Sequence, residues 1–455
     1  MSQNQLAVVV LAAGKGTRMK SSLPKVMHQL SYRSMLYLVL DQVSKLSPKQ
    51  VILVCSQHLL AYQQQILAEF SHLPLVFVLQ EQQLGTAHAV SSALPELAKQ
   101  PAKQVLVLYA DTPLITSQTL LLMLAKLSSA TLAVLSFRQQ NPHQYGRLLT
   151  NPQNQEQVLQ IIEHKDCTPQ QHEITLCNSG VMAIDGELLP SLLAKVNNHN
   201  KAGEYYLTDL IAIANQQNLT CQHLPVAKEE VLGVNSRVEL AMVEKIHQKQ
   251  LKKTLQENGV TILMPKNTYI AYDAKIASDV VLHPFVVIGP NVVIESQVEI
   301  KSFSHLQGVL VKSQATVGPF ARIRPNSIIE QQAKIGNFVE IKNSTIGKNS
   351  QVNHLSYVGD AVIGNKTNIG AGTITCNYDG YQKSTTTIGD EVFVGSNSCL
   401  IAPVVIESNT VIAAGSVITK NLPEGDLAIA RSKQTNIKQG AVAYHCKKNI
   451  NKKPK

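Results

Sequence analysis

No apolar run in this sequence approaches the ~20 residues that a membrane-spanning helix needs, and the opening Met1–Leu6 is too polar for a secretory signal peptide. The seven cysteines are odd in number and include no Cys-x-x-Cys pair, so neither a disulfide framework nor a zinc ribbon is expected. Charge is scarce too, at 16% of residues against 44% hydrophobic, which argues against a disordered chain. These absences predict a globular, cytoplasmic protein. Its 455 residues are too many for one ordinary domain, so two or three are expected, each with its own core.

The charge that is present leans positive, with 41 Lys+Arg against 31 Asp+Glu and a net +10. That balance suggests acidic partners: nucleic acid, a membrane surface or phosphorylated small molecules. The excess is uneven: residues 1–232 carry 16 basic and 15 acidic side chains, residues 233–455 carry 25 and 16. Five of these lysines (Lys447, Lys448, Lys452, Lys453 and Lys455) fall in the last nine residues, with no aromatic beyond Tyr444. A solvated, frayed terminus is therefore expected rather than a polyanion-binding surface. Neither nucleic acid nor membrane is expected as a partner.

The first half alternates β-rich apolar runs with longer amphipathic ones. Leu6–Leu11, Val51–Cys55, Leu75–Leu79, Val105–Tyr109 and Leu132–Phe137 read as buried strands. Helical spacing runs over Met35–Leu46, Leu59–Phe70 and Thr86–Leu97. This alternation predicts an α/β, doubly wound, mostly parallel sheet of Rossmann-like type, with ligands beyond the carboxyl ends of its strands. Ser236 and Glu239 then form a capping-box pattern, and helical spacing continues to Asn258 before Gly259. At 1.5 Å per residue such a helix is about 34 Å long. It predicts a rigid linker over 233–258, between a domain of residues 1–232 and one of residues 259–455.

The second half has a different texture. Ile or Val followed by Gly or Ala occurs at 288, 317, 335, 346, 358, 363, 369, 388, 394, 401 and 412, every interval within one residue of a multiple of six. That is the hexapeptide repeat of a left-handed parallel β-helix, the apolar residue pointing inward and the small one permitting the corner. An antiparallel sandwich would place its turns about every 8–12 residues instead.

Leu11-Ala-Ala-Gly-Lys-Gly-Thr-Arg-Met19 follows the first strand, with Pro24-Lys25 beyond it. Met19 stands where a dinucleotide fingerprint needs its third glycine, and no Gly-Lys-Ser/Thr closes a Walker loop. What remains is a glycine loop able to wrap phosphates with backbone N–H groups, plus Lys15, Arg18 and Lys25 to neutralise their charge. An ordinary glycine turn explains any one of these residues but not the set. Asp111 ends an apolar strand, where a carboxylate reaches the crevice; a turn or cap role before Thr112-Pro113 is the alternative.

The loop and its Pro-Lys resemble the signature of sugar-1-phosphate nucleotidyltransferases. Gln80, Leu84-Gly85-Thr86, Tyr109-Ala110-Asp111, Tyr145-Gly146-Arg147, Glu163-His-Lys-Asp166, Asn178-Ser-Gly180, Gly203-Glu-Tyr-Tyr-Leu-Thr-Asp209 and Gly233-Val-Asn235 extend the resemblance in order. With the hexapeptide half, nearly the whole chain is similar to the bacterial bifunctional UDP-N-acetylglucosamine pyrophosphorylases/glucosamine-1-phosphate N-acetyltransferases. The resemblance implies that Asp111 and Asn235 hold Mg²⁺, a lean set suited to a metal that keeps waters and takes substrate phosphates. It implies that Arg18 and Lys25 face the phosphates as catalytic cations. Leu11, Ala12, Gly14, Gln80, Gly85 and Thr86 would hold the uridine nucleotide, with Ala13, Tyr109 and Ala110 in the same nucleotide- and sugar-binding set. Gly146, Glu163 and Asn178 would hold the amino sugar. The family commonly has Gly where this chain has Ala110, and the added methyl is expected to tighten the uridine side.

In the repeat half, Arg324 and Lys342 are 18 residues apart, one coil, so their side chains should converge on one face and grip a sugar phosphate. His354, 12 residues beyond Lys342, falls on another face, where a trimer would bring it groups from a neighbouring subunit. Most of the histidines read as surface or core residues; the run Asn353-His-Leu-Ser-Tyr357 sets His354 apart by resemblance. The family's chemistry implies that His354 takes a proton from glucosamine-1-phosphate as its amine attacks the acetyl-CoA thioester. Tyr357 and Asn368 match sugar contacts, and Ala371, Asn377, Tyr378, Ser396, Ala414 and Arg431 match acetyl-CoA contacts. Thr373–Thr387 reads as a loop thrown out of the coil over the cofactor. Cys376 within it reads as a bystander, because amide formation from a thioester needs a base and no covalent cysteine. Between Pro290 and Gly318 the repeat fades, and this stretch is expected to be about one coil short of the family.

The resemblance thus implies an enzyme that acetylates glucosamine-1-phosphate, then transfers a uridylyl group from UTP with Mg²⁺ and releases pyrophosphate. It would act as a homotrimer joined through the β-helix and feed peptidoglycan, lipopolysaccharide and other cell-wall precursors. Two alternatives compete: a nucleotidyltransferase whose β-helix only oligomerises or regulates, and a non-catalytic two-domain binding protein. The former should lack the Arg324–Lys342–His354–Tyr357 set and the latter should lose Lys25 or Asp111; all are present.

Overall fold

A computed structural model describes residues 5–450; Met1–Asn4 and residues 451–455, with Lys452, Lys453 and Lys455, lie outside the described residues. The chain divides into two compact units, Met1–Leu251 and Lys252–Lys455.

The first unit is built on a nine-stranded sheet in the order Leu75–Leu79, Gln50–Cys55, Leu6–Ala12, Gln104–Tyr109, Leu176–Asp185, Leu132–Arg138, Cys221–Pro225, Asn154–Ile162, Arg147–Asn151. All five expected strands form. The first four in the sheet run parallel, with helices on both faces, so Leu6–Ala12 buries every residue: Ala7, Val9 and Leu11 on one side, Val8, Val10 and Ala12 on the other. Beyond them Leu176–Asp185 runs antiparallel to both neighbours, and the far edge is antiparallel too. The sheet is therefore parallel where the crevice lies and mixed elsewhere. The strands that apolar runs did not reveal are Arg147–Asn151, Asn154–Ile162, Leu176–Asp185 and Cys221–Pro225. Asn154–Ile162 shows why: most of its residues are exposed or half-buried, so it never forms an unbroken apolar run. The helix expected over Leu59–Phe70 breaks into Gln57–Leu60 and Gln63–Glu69, which turns both Leu59 and Ile66 into the core.

The long helix runs over Arg237–Glu257. Ser236 Oγ accepts from Glu239 N at 3.2 Å, as a capping box requires. The Glu239 carboxylate reaches one residue further back than in that motif and accepts from Asn235 N at 2.7 Å. Near its middle, Glu244 and His247 hold the buried Ser31, whose N–H donates to Glu244 at 2.9 Å and whose Oγ lies 2.8 Å from His247 Nδ1.

The second unit consists of parallel sheets of ten, nine and eight strands, every strand pairing with the one a coil later, as a left-handed parallel β-helix requires. Tyr269, Val287, His305, Arg322, Glu340, Tyr357 and Ile374 form one column, 17 or 18 residues apart. Each repeat position named above is buried except Ile401, which is 38% exposed while Leu400 takes the inward place. The small residue serves a different purpose from the one expected. Left-handed corners fall on Phe285, Asn291, Gln297 and Phe303, at φ 56–61°, whereas Gly336 is needed because a Cβ there would lie 1.9 Å from the Asn353 carbonyl of the next coil. The small residue admits the neighbouring coil; the corner is made elsewhere, Gly318 (φ 97°) being an exception.

Between Pro290 and Gly318 the coils continue without interruption through Val293–Ile294, Glu299–Ile300, His305–Leu306, Val309–Val311 and Thr316–Val317. Ile294, Ile300, Leu306 and Val311 are buried there, but Glu295, Lys301, Gln307 and Lys312 follow them in place of small residues. That substitution hid the repeat. The expected loop is also shorter: Ile374–Cys376 and Thr386–Ile388 are coil strands, and only the residues between them leave, closed by a Tyr378–Lys383 bridge. At the basic end a helix spans Gly440–Ile450, taking in the first residues of the tail expected to fray, while residues 451–455 of that tail lie outside the described residues. Among the described residues, no helix is long and apolar enough to cross a membrane.

Candidate active sites

In the first unit a cavity of about 420 Å³ opens beyond the carboxyl ends of the parallel strands. Leu11, Ala12, Ala13, Gly14, Lys25, Gln80, Gly85, Thr86, Tyr109 and Asp111 all line it. Lys15, Val26, Gln83, Ala89 and Glu204 join them; Lys15 and Glu204 lie in motifs that stood out in the sequence, and Val26, Gln83 and Ala89 do not. Gln83 was legible as a neighbour of Leu84-Gly85; its amide donates to Ala13 O at 3.0 Å and ties that segment to the glycine loop. A Cβ at Gly14 would meet no atom within 4 Å, so its bare backbone faces open space, whereas one at Gly16 (φ +60°) would lie 2.8 Å from Lys25 Cβ. Gly16 thus lets the loop close onto Lys25. Gly85 (φ +121°) lets the Thr86–Lys99 helix begin against the Tyr205 backbone.

Lys25, half-buried, forms an ion pair with Asp111, and its ammonium also donates to Asn235 Oδ1 at 3.1 Å. The ammonium stands where a cation would be held by these two oxygens, and a divalent ion fits the same donors. Asn235 is placed by the Glu239 bond to its N–H and by Val234 N donating to Asp111 O at 2.9 Å.

Gly146, Glu163 and Asn178 form a separate cluster beside this cavity. Asn178 N donates to Gly146 O at 2.9 Å, and a Cβ on Gly146 would lie 3.6 Å from Glu163 Oε1. Burial pushes the Glu163 carboxyl up, opposed by a 3.0 Å hydrogen bond from Thr208 Oγ1. Burial likewise drives the Tyr109 phenol far up, with the Glu163 and Asp111 charges adding to it. One expectation changes here. Ala110 is fully buried in the core and does not line the cavity, so its methyl packs among apolar side chains instead of touching uridine. Arg18 is exposed and lines an adjoining cleft of about 870 Å³ together with Tyr145, His164, Lys228 and Asn235.

In the second unit Arg322–Ile323 pairs with Glu340–Lys342, which pairs with Tyr357–Gly359, so Arg324, Lys342 and Tyr357 share one sheet as expected. Both cations are answered by carboxylates: Arg324 Nη1 donates to Glu340 at 3.0 Å, and Lys342 Nζ lies 3.5 Å from Asp360. His354 lies on the preceding face, stacked over Asn337, whose Oδ1 is 2.9 Å from His354 Nδ1. An oxygen in that place suits a proton on Nδ1, the tautomer that leaves the Nε2 lone pair free. Asn337 was not singled out from sequence; its place one coil before His354 is the signal that points to it.

Asn368 opens a strand on the same face as His354, stacked on Gln351, and so lies on a different sheet from Lys342. Ala371, Ser396 and Ala414 follow inward residues Ile369, Val394 and Ile412 by two positions, as His354 follows Val352. They form one column along the edge that begins at His354. Arg431 joins it through a bond to Ala414 O. Asn377 and Tyr378 lie apart, after a strand of the next sheet; Asn377 is buried with its amide on Asp360, while Tyr378 is 60% exposed. Cys376 is half-buried, and burial pushes its thiol up, away from a thiolate nucleophile.

A glycine loop and a paired lysine and aspartate at the carboxyl ends of parallel strands are the arrangement of a nucleotidyltransferase. Residues 8–194 match the MobA-like NTP transferase domain, and residues 305–414 match the GMPPB C-terminal domain. Proteins named bifunctional protein GlmU are similar along the chain. That of Paramagnetospirillum magneticum is 46% identical over 458 residues, covering 100% of both chains. That of Rhodospirillum rubrum is 47% identical over 428 residues, covering 93% of this chain and 94% of the relative. That of Zymomonas mobilis is 44% identical over 436 residues, covering 94% and 95%. The chain belongs to the bifunctional GlmU family. An alignment of 458 positions that spans all 455 residues and all of the relative leaves no room for a missing coil, so the expected shortening is not found.

Proposed function

We propose that the chain makes UDP-N-acetylglucosamine in two steps at separate sites. The second unit transfers an acetyl group from acetyl-CoA to the amine of glucosamine-1-phosphate. The first unit transfers a uridylyl group from UTP to the N-acetylglucosamine-1-phosphate so formed, releasing pyrophosphate. The observation that carries the reading is the convergence of Lys25, Asp111 and Asn235 at the edge of a nucleotide-sized cavity.

At the first site an oxygen of the sugar phosphate attacks the α-phosphorus of UTP, and the bond to the β-phosphate oxygen breaks. No covalent enzyme group is needed, so positioning and charge neutralisation carry the rate. The glycine loop, Lys15 and Lys25 bind the triphosphate, and Arg18 faces the phosphates from the adjoining cleft. Asp111 and Asn235 would hold Mg²⁺, which when bound neutralises phosphate charge. Gly146, Glu163 and Asn178 bind the amino sugar.

At the second site Arg324 and Lys342 bind the sugar phosphate and Tyr357 its ring. His354 Nε2 accepts the proton that the amine sheds as it attacks the thioester carbon, and the thiolate of CoA leaves. Ala371, Ser396, Ala414 and Arg431 line the cofactor's path, with Asn377 and Tyr378 approaching it from another edge. Asn368 lies on a different sheet from Lys342, which supports a homotrimer in which neighbouring β-helices complete one site. In the same reading residues 1–232 are the uridylyltransferase domain, 233–258 the linker helix and 259–455 the acetyltransferase domain. The enzyme works in the cytoplasm and feeds cell-wall precursors. An oligomerising role for the β-helix alone is less favoured, because it leaves the His354–Asn337 pair without a purpose.

The test is direct: supply glucosamine-1-phosphate, acetyl-CoA, UTP and Mg²⁺, and assay for UDP-N-acetylglucosamine by chromatography. Its absence would overturn the reading.

A further inference from the structure

The adjoining cleft, about 870 Å³, is larger than the nucleotide cavity and shares Asn235 with the Lys25–Asp111 pair. Its lining is unusual in charge. Arg18, Lys228, His143 and His164 face it, against a single carboxylate, Glu239, whose Oε2 is engaged by Asn235 N. Among the described residues neither Arg18 nor Lys228 has an ion-pair partner, in contrast to Lys25. His164 Nδ1 and Gln139 Oε1, both on this lining, are buried without a hydrogen-bond partner. His143 stands at φ 48°, in the left-handed region. A cleft with unneutralised cations and idle polar groups fits an anion that also carries hydroxyl or amide groups.

We propose that this cleft is the entry site for the phosphate of the acceptor sugar, with Lys228 and His143 as binding residues that deliver it to the uridylyl centre. The inference rests on the functional reading above and names groups that reading did not assign. Chain adjacency favours the acceptor over the leaving diphosphate. Tyr145 and His164 on the cleft are the immediate neighbours of Gly146 and Glu163 in the sugar cluster, whereas Gly14 and Lys15 line the nucleotide cavity instead. An in-line displacement brings the acceptor from the side opposite the leaving group.

The test is steady-state kinetics of uridylyl transfer by the full chain, with acceptor and UTP varied separately, in Lys228→Ala, Lys228→Arg and His143→Asn; asparagine tolerates the left-handed backbone. Lys228→Ala should raise KM for N-acetylglucosamine-1-phosphate about tenfold, with kcat at saturating acceptor and KM for UTP within about twofold. Lys228→Arg should restore most of the loss. Added salt should raise the acceptor KM of the unaltered protein more steeply than that of Lys228→Ala. His143→Asn should raise the same KM about threefold. Two results overturn the inference alone: an unchanged acceptor KM in Lys228→Ala, or weakened pyrophosphate inhibition with the acceptor KM intact, which would give the cleft to the leaving group. No uridylyl transfer by the unaltered protein would instead overturn the functional reading on which it stands.

Discussion

Lys25 reaches across the crevice to Asp111, and the same ammonium lies 3.1 Å from Asn235 Oδ1. The three residues come from the loop after the first strand, the end of the Gln104–Tyr109 strand and the approach to the long helix, and only folding brings them together. The lysine holds both oxygens on one side of the crevice. Lys25→Ala is expected to slow uridylyl transfer about a hundredfold, the usual scale for removing one preorganised charge. Acetylation by the same protein should be unchanged, as separate assays of the two half-reactions will show.

Asp111→Asn and His354→Ala should separate the activities cleanly. The first is expected to reduce uridylyl transfer about a hundredfold or more and spare acetylation. The second should reduce acetylation about a thousandfold and spare uridylyl transfer. A folded variant in which one change abolished both half-reactions would refute the assignment to two sites.

Asp209 offers a pH-dependent test. Burial, with the Asp166 carboxylate beside it, pushes Asp209 up to about 6. The folded state therefore holds this proton more tightly than the unfolded chain, whose carboxyl titrates near its ordinary value of about 3.9. Ionised Asp209 destabilises the fold above about pH 6, and the penalty fades as pH falls toward 4. Asp209→Asn should accordingly raise Tm by about 2 °C at about pH 7.5 and by much less at about pH 4.5. Calorimetry at the two pH values checks both sign and window.

Two glycines should respond oppositely to alanine. Gly14→Ala meets nothing within 4 Å, so Tm should hold while KM for UTP rises. Gly336→Ala drives a methyl to 1.9 Å from Asn353 O between stacked coils, and should cost about 3 kcal/mol by denaturant unfolding.

Ala110→Gly tests whether that methyl belongs to the core. Because Ala110 is fully buried away from the cavity, KM for UTP should not change. Stability should fall by about 1 kcal/mol, from the lost methyl and the freer unfolded backbone.

Much was legible before folding, and the reason is local. The unbroken apolar run at Leu6–Leu11 identifies a strand buried on both faces, and the Ile/Val-Gly period of six identifies the coil, because side-chain direction along a strand depends on neighbours a few residues away. The Leu11–Met19 loop and the His354 motif were readable for the same reason: each is contiguous. Strands such as Asn154–Ile162 escaped because their sidedness depends on which neighbour covers them. The repeat between Pro290 and Gly318 was obscured because Lys301 and Gln307 stand where small residues were sought, although Ile300 and Leu306 still point inward.

What the chain alone determined, then, was a two-part architecture, a glycine loop after the first strand and the set of candidate reactive groups. Tertiary structure decided their company. It set Arg18 on a cleft apart from the nucleotide cavity and turned the Ala110 methyl into the core. It also set Asn337 beneath His354, with its Oδ1 facing Nδ1 of the imidazole. Each outcome depends on residues far apart in sequence meeting across a crevice or one coil of a helix, a relation that no local spacing encodes.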